Sequence, residues 1–233
     1  HTPKRLCARN YVVFLRVSQH GLNMVRNKQS KTNIVSYSMS RTGSTLVFNI
    51  LRFLYPETIA CHPPAGWLTE HHTIVGTYRH PIDSLLSNIR ISEPKEIDDP
   101  LLLKHLNSRS MLHGHLKRDM DAHKKKGGVQ LKLKYEMFWD NYEFIFDKLE
   151  DVLAINISNC QRKEMQEKYG IKNALRTQRH LANWDEVDKE TRLHGGHIKT
   201  PRPYHYKQIL TDNQINLLTC GLSSFIREWE NLD

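Results

Sequence analysis

The sequence has no acidic residue before Glu57. Over the same stretch it carries nine basic ones: Lys4, Arg5, Arg9, Arg16, Arg26, Lys28, Lys31, Arg41 and Arg52. The net charge of +9 for 233 residues therefore lies in the first quarter, and the remainder balances to zero. A basic region of this kind attracts nucleotides, nucleic acid or acidic glycans, and a solvated basic arm is the plain alternative for residues 1–31. Long apolar runs are also missing. The nearest, "YVVFL" (11–15), is far too short to cross a bilayer. The four cysteines, Cys7, Cys61, Cys160 and Cys220, include no CxxC pair and no close Cys/His set with zinc spacing. That pattern sets a reduced, cytoplasmic protein without a metal site as the expectation, although a chain starting at His1 leaves a removed leader or anchor open. The 14 histidines do not alter this, since pairs such as His71-His72 and His113/His115 stand in polar, loop-like context. One further absence matters most. The single strand-turn-helix pattern that looks built for phosphate lacks the Gly-Lys-Ser/Thr ending of a triphosphate loop.

What is present reads as an ordinary globular chain, with 39% hydrophobic and 25% charged residues. Residues 33–38, 57–61, 73–78 and 129–135 read as strands. Residues 10–28, 44–54, 81–91, 101–125, 139–153 and 160–182 read as helices. Thr211 is the expected N-cap of a closing helix, and 184–206 has the Gly, Pro, His and basic content of a long functional loop. Strands alternating with helices imply an α/β fold around a mostly parallel sheet, in one domain over 32–233 behind the basic segment 1–31. Ligands of such sheets gather at the carboxyl ends of the strands, which selects the turns after residues 38, 61 and 78.

The first of these turns is "SMSRTGSTL". Its glycine lets backbone approach an anion, and Ser44 and Thr45 add hydroxyl donors. The helix starting there presents free N–H groups, and Arg41 adds a forked, charged donor. The third turn, "TYRHPIDSLLSNIR", ends its strand on Arg79 and sets Ser87 two turns into the next helix, where both can grip one phosphate.

As a pair, "SYSMSRTGST" and "TYRHPIDSLLS" resemble the nucleotide-binding signatures of the sulfotransferases that use 3′-phosphoadenosine-5′-phosphosulfate (PAPS). The resemblance implies that Arg41, Thr42, Gly43, Ser44 and Thr45 bind the 5′-phosphosulfate, and that Arg79 and Ser87 bind the 3′-phosphate. It implies a place near the adenine for Tyr135, from "LKLKYEMFWDNYEFIFDKL". It also implies a late basic loop over the 3′-phosphate in "HGGHIKTPRPYHYKQILT", with Gly196, His197, Lys199 and Arg202 as candidates. The similarity runs over roughly residues 33–230. The sequence departs from the family at Ser38, where a proline is usual, at Leu46, where an aromatic is common, and in the short segment between the two signatures.

The chemistry so implied is in-line sulfuryl transfer to a hydroxyl or amine on a small molecule or glycan, needing a base and a cation at the leaving oxygen. Arg41 fits the second task. His62, just past a strand end in "ACHPP", fits the first, with an unperturbed imidazole pKa near 6.5. The lysine that often stands two residues earlier in the family is Ala60 here, and Glu70 is the reserve base. Trp67 is a candidate wall of the acceptor site, whereas Trp139 and Trp184 read as core or interface. Two other readings remain open at this stage. One is a Mg-ATP-dependent small-molecule kinase. The other is a non-catalytic binder of nucleic acid or glycan through residues 1–31, although no stable nucleic-acid partner is expected of the sulfotransferase reading.

Overall fold

The computed structural model of the chain describes residues 33–92, 96–199 and 201–232. The helix expected over 10–28 and the basic segment 1–31 lie outside the described residues.

The chain alternates strand and helix: β1 (Asn33–Tyr37), α1 (Ser44–Leu54), β2 (Ile59–Cys61), β3 (His72–Tyr78), α2 (Pro81–Ile89), α3 (Asp99–Lys125) and β4 (Val129–Lys134). All four strands pair in parallel, in the order β2-β1-β3-β4. The expected parallel α/β architecture is what forms. Its cause is visible in β1, whose apolar residues face both ways. Ile34 packs with Val47, Ile50 and Leu51 of α1, while Val35 and Tyr37 pack with Leu116 and Met120 of α3. A strand buried on both faces needs helices on both faces, as parallel crossovers provide.

The remaining helices are α4 (Tyr135–Phe138), α5 (Tyr142–Leu153), α6 (Asn159–Tyr169), α7 (Ile171–Arg179), α8 (Asp212–Gly221) and α9 (Ser223–Glu230). Three sequence expectations change here. The helix expected over 160–182 is two helices broken at Gly170, whose backbone is extended (φ −62°, ψ 159°). A Cβ there would lie 2.3 Å from the Gln166 carbonyl oxygen. The closing helix starts at its Thr211 cap as expected, yet breaks at Leu222, which is buried with Leu102 and Leu106 of α3. The helix expected from 139 begins at Tyr142, because residues 135–138 form their own short turn.

α3 is long and polar, but three of its polar side chains point inward. Arg109, Asp119 and His123 bond to the turn after β1, the loop after β2 and the start of β3, respectively. No helix among the described residues is long and apolar enough to cross a membrane.

Candidate functional site

The turn between β1 and α1 is held from below by its own side chains. Ser38 Oγ accepts from Thr77 N at 2.8 Å. Thr42 Oγ1 donates to the Met39 carbonyl at 2.7 Å and meets Thr77 Oγ1 at 2.7 Å. Arg41 (φ 71°) and Gly43 (φ 86°) are both left-handed, so the backbone folds back on itself around Thr42. Only glycine fits at 43. An added Cβ would lie 2.8 Å from Tyr135 Cδ2 and 2.9 Å from Phe138 Cζ. α1 then starts with no side-chain cap and no acidic residue in its first turn, which leaves free N–H donors at its positive end.

Two cavities meet at this turn. The first, of about 110 Å³, is lined by Arg41, Gly43, Ser44, Thr45, Arg79, Ser87, Tyr135, His197 and Lys199. Trp139, Tyr142, Tyr169 and Ala174 form its apolar end. Nine of the sequence-predicted residues therefore come together. Thr42 is the exception among the turn residues, its side chain buried beneath the turn in the bonds just described.

The charges in this cavity are unbalanced. Arg79 is buried, and Arg41 beside it is half-buried with its Nη1 enclosed. Burial first, and then Arg79, push the Arg41 guanidinium down to about 10. Among the described residues, neither forms an ion pair. Arg41 Nε donates to Ser87 Oγ at 3.1 Å and Nη2 donates to the His197 carbonyl, while Nη1 has no partner. Arg79 stacks over Tyr135 with its guanidinium carbon 4.6 Å from the ring centre and donates to the Arg202 carbonyl at 3.4 Å, while its Nε has no partner. The nearby carboxylates are engaged elsewhere. Asp83 accepts from the Tyr204 and Tyr206 amides, and Glu136 from His80 N and Trp229 Nε1.

The loop read as functional, 184–206, forms the cover. The Tyr135 hydroxyl donates to the Pro201 carbonyl at 2.6 Å, and Gln178 brackets Ile198 through both its amide atoms.

The second cavity, of about 450 Å³, shares Arg41, Ser44, Thr45 and His197 with the first. His62 lines it together with Arg41 and does not line the first cavity. His62 Nδ1 lies 2.5 Å from the Ser38 carbonyl. A carbonyl only accepts, so Nδ1 carries the proton and Nε2 is left with a lone pair. Glu70 and Trp67 line neither cavity. Both are exposed, Glu70 beside His71 and Trp67 edge-on to His72.

Residues that the sequence reading left aside stand in their place. Trp184 stacks on His194 at 4.4 Å and 9°, and on His197 at 5.5 Å, with Arg41 5.5 Å from its ring centre. Arg192 completes this wall. Beneath the turn, Arg109 donates to the Ser40 carbonyl (2.8 Å), Ser40 Oγ (3.0 Å) and Ser84 Oγ (2.5 Å), and so ties α3 to both anion-site turns. The aperiodic, Gly- and His-rich 184–206 stretch was a signal for the loop residues. Nothing local marked Arg109. Among the described residues, no cluster of three His, Cys, Asp or Glu side chains is placed to hold a metal ion.

No protein-family model and no curated protein matches the sequence. Among solved structures, the chain is similar to mouse sulfotransferase SULT7A1 complexed with PAP, at 10% identity over 83% of this chain and 84% of that one, with a TM-score of 0.54. At that identity the likeness speaks for architecture alone, and the architecture it gives this chain is the sulfotransferase fold.

Proposed function

We propose that this protein transfers a sulfuryl group from PAPS to a hydroxyl or amine acceptor, with the nucleotide anchored at the first cavity, whose roughly 110 Å³ take part of it, and the acceptor in the second. The observation that carries the reading is a pair of guanidiniums, Arg79 buried and Arg41 half-buried with its Nη1 enclosed. They line one cavity beside an uncapped helix N-terminus, with no carboxylate at ion-pair distance among the described residues. Removing such charges from water costs several kcal/mol each unless an opposite charge compensates. A ligand with anionic groups at two points does so. The donors left without partners, Arg41 Nη1 and Arg79 Nε, fit that requirement.

In this reading Arg41, Ser44, Thr45 and the first amides of α1 hold the 5′-phosphosulfate. Gly43 admits the close approach, and Thr42 braces the turn. Arg79 and Ser87 hold the 3′-phosphate, with His197 and Lys199 contributing from the cover loop. Tyr135, already stacked on Arg79, borders the adenine. One arginine with backbone amides suffices, because a phosphosulfate carries less terminal charge than a triphosphate and needs no magnesium clamp. The nucleotide supplies the sulfuryl group: an acceptor oxygen or nitrogen bonds to sulfur as the sulfur–oxygen bond to the 5′-phosphate breaks, leaving adenosine 3′,5′-bisphosphate. His62 Nε2 takes the acceptor's proton, its lone pair fixed by the Nδ1 bond to Ser38. Arg41, shared by both cavities, stabilises the charge that gathers on the departing phosphate oxygen.

Calorimetric titration with adenosine 3′,5′-bisphosphate tests the reading. The expected result is micromolar binding, with ATP plus magnesium much weaker, and a loss of about 10- to 100-fold in Arg79→Ala, the worth of a charge-assisted bond. Preference for ATP, or undiminished affinity in a folded Arg79→Ala protein, overturns it.

A further inference from the structure

The second cavity has a charge character that sulfuryl transfer by itself does not require. Besides Arg41 it is lined by Arg192 and three histidines, and by no aspartate or glutamate. His197 contributes no charge, since burial pushes it down to about 3. Arg41 is shared with the first cavity, but Arg192 lines the second only. Among the described residues, no carboxylate pairs with Arg192. Of the four acids of its own loop, Asp185 forms no ion pair among the described residues and the other three are occupied elsewhere. Asp188 accepts from Thr191 N and Oγ1, Glu190 pairs with Lys168 at 2.6 Å, and Glu186 accepts from Ala182 N.

Arg192 is also held in an unusual way. It closes the turn that leads into the Val187–His194 bridge, with its amide donating to the Asp188 carbonyl at 2.8 Å. Its φ is 56°, a left-handed conformation that disfavours any side chain with a Cβ and suits glycine. Its guanidinium carbon stands 5.2 Å from the centre of the Phe48 ring, another wall of the cavity. A long, exposed cation is thus fixed on the cavity wall at a position whose backbone favours a smaller residue.

Resting on the sulfotransferase reading above, we infer that the acceptor is an anionic hydroxyl compound. Its carboxylate or sulfate pairs with Arg192 while its hydroxyl meets His62. A cavity of about 450 Å³ suits a compound of one or two rings or the end residue of an acidic glycan. A forked guanidinium stacked on an aromatic face is the side chain best matched to such a group.

The test uses matched pairs in which a carboxylate is replaced by its neutral amide: 4-hydroxyphenylacetate with 4-hydroxyphenylacetamide, and methyl glucuronide with methyl glucuronamide. Each is titrated into the full chain saturated with adenosine 3′,5′-bisphosphate and assayed for transfer with PAPS. The anionic member of at least one pair is expected to bind and react at least about tenfold better, and Arg192→Gln should erase that preference by a loss at least about tenfold larger for the anionic member than for the neutral one. Equal or better use of both neutral members overturns the inference, as does failure of all four to bind. So does a charge preference that survives Arg192→Gln, or an equal loss for both members of a pair, which would assign Arg192 to the transferred group instead. Nucleotide affinity, measured first on the same samples, separates the two levels. Failure there removes the sulfotransferase reading itself, whereas intact affinity in Arg192→Gln shows that the variant is folded and that only the acceptor assignment is at stake.

Discussion

Gly43 is where the anion site and the core constrain one residue. Its φ of 86° and the three aromatic carbons within 3.0 Å of an added Cβ leave no room for alanine. Gly43→Ala should therefore cost about 2 kcal/mol or more, from left-handed strain and displacement of the Tyr135 and Phe138 rings together. Gly66→Ala, at a site with nothing within 4 Å, should be near neutral. Urea denaturation of the two variants checks this, and equal midpoints would refute it. The glycine was legible in the sequence because a strand-turn-helix pattern demands one. Thr42 was only half legible. Its place in the turn could be read, but the direction of its side chain depends on Thr77, which is 35 positions away. Arg109 could not be read at all. A lone arginine in a polar helix looks solvated, and its burial against Ser40 and Ser84 is decided by tertiary packing.

At the scale of elements, α3 braces the loop that carries His62. Asp119 Oδ2 accepts from the buried Tyr37 hydroxyl at 2.5 Å and from Ala65 N at 2.9 Å, and so pins the strand before the turn and the Pro63-Pro64 loop together. Burial and this carboxylate both push the Tyr37 phenol upward, so it remains a donor. Asp119→Ala leaves two donors without an acceptor and should cost about 2–4 kcal/mol. Asp119→Asn keeps one acceptor oxygen and should lose less. At temperatures where Asp119→Ala stays folded, the proposed transfer should slow by more than bisphosphate affinity falls, because the loop it frees bears the proposed base and not the proposed nucleotide ligands. Thermal melts with paired binding and rate assays check both parts, and equal losses in rate and affinity would count against them. The strands and the starts of their following helices were legible because apolar alternation and turn residues mark them. The helix breaks were not. Gly170 sits inside a continuing polar pattern, and Leu222 carries no turn signal, since it bends the chain by being buried against α3.

For the whole molecule, the architecture could be read from the βα alternation, whereas the pH response depends on burial that no local pattern records. Among the described residues, three histidines are pushed far enough down to be held neutral. Burial, then Lys207 and Arg79, pushes His80 down to about 4. Burial, then Arg109, pushes His113 to about 3. Burial, then Arg41, pushes His197 to about 3. In the unfolded chain each titrates near 6.5. Between about 6.5 and the folded value, the unfolded state binds the extra proton. Stability is therefore complete above about 6.5 and falls with acidification, at up to about 1.4 kcal/mol per pH unit for each histidine. Buried Asp83 and half-buried Glu136 are both pushed upward by desolvation, so their protonation in the fold opposes this decline at the acid end. His113 isolates the effect, because it lies outside the site, stacked on Phe225 at 4.8 Å with Nε2 unpartnered. His113→Phe keeps the stack and removes the titrating group. Denaturation curves taken from pH 7 to pH 4 should show a shallower decline for the variant, with nucleotide affinity at pH 7 unchanged. Parallel curves for the two proteins would mean that the acid sensitivity lies elsewhere than in His113.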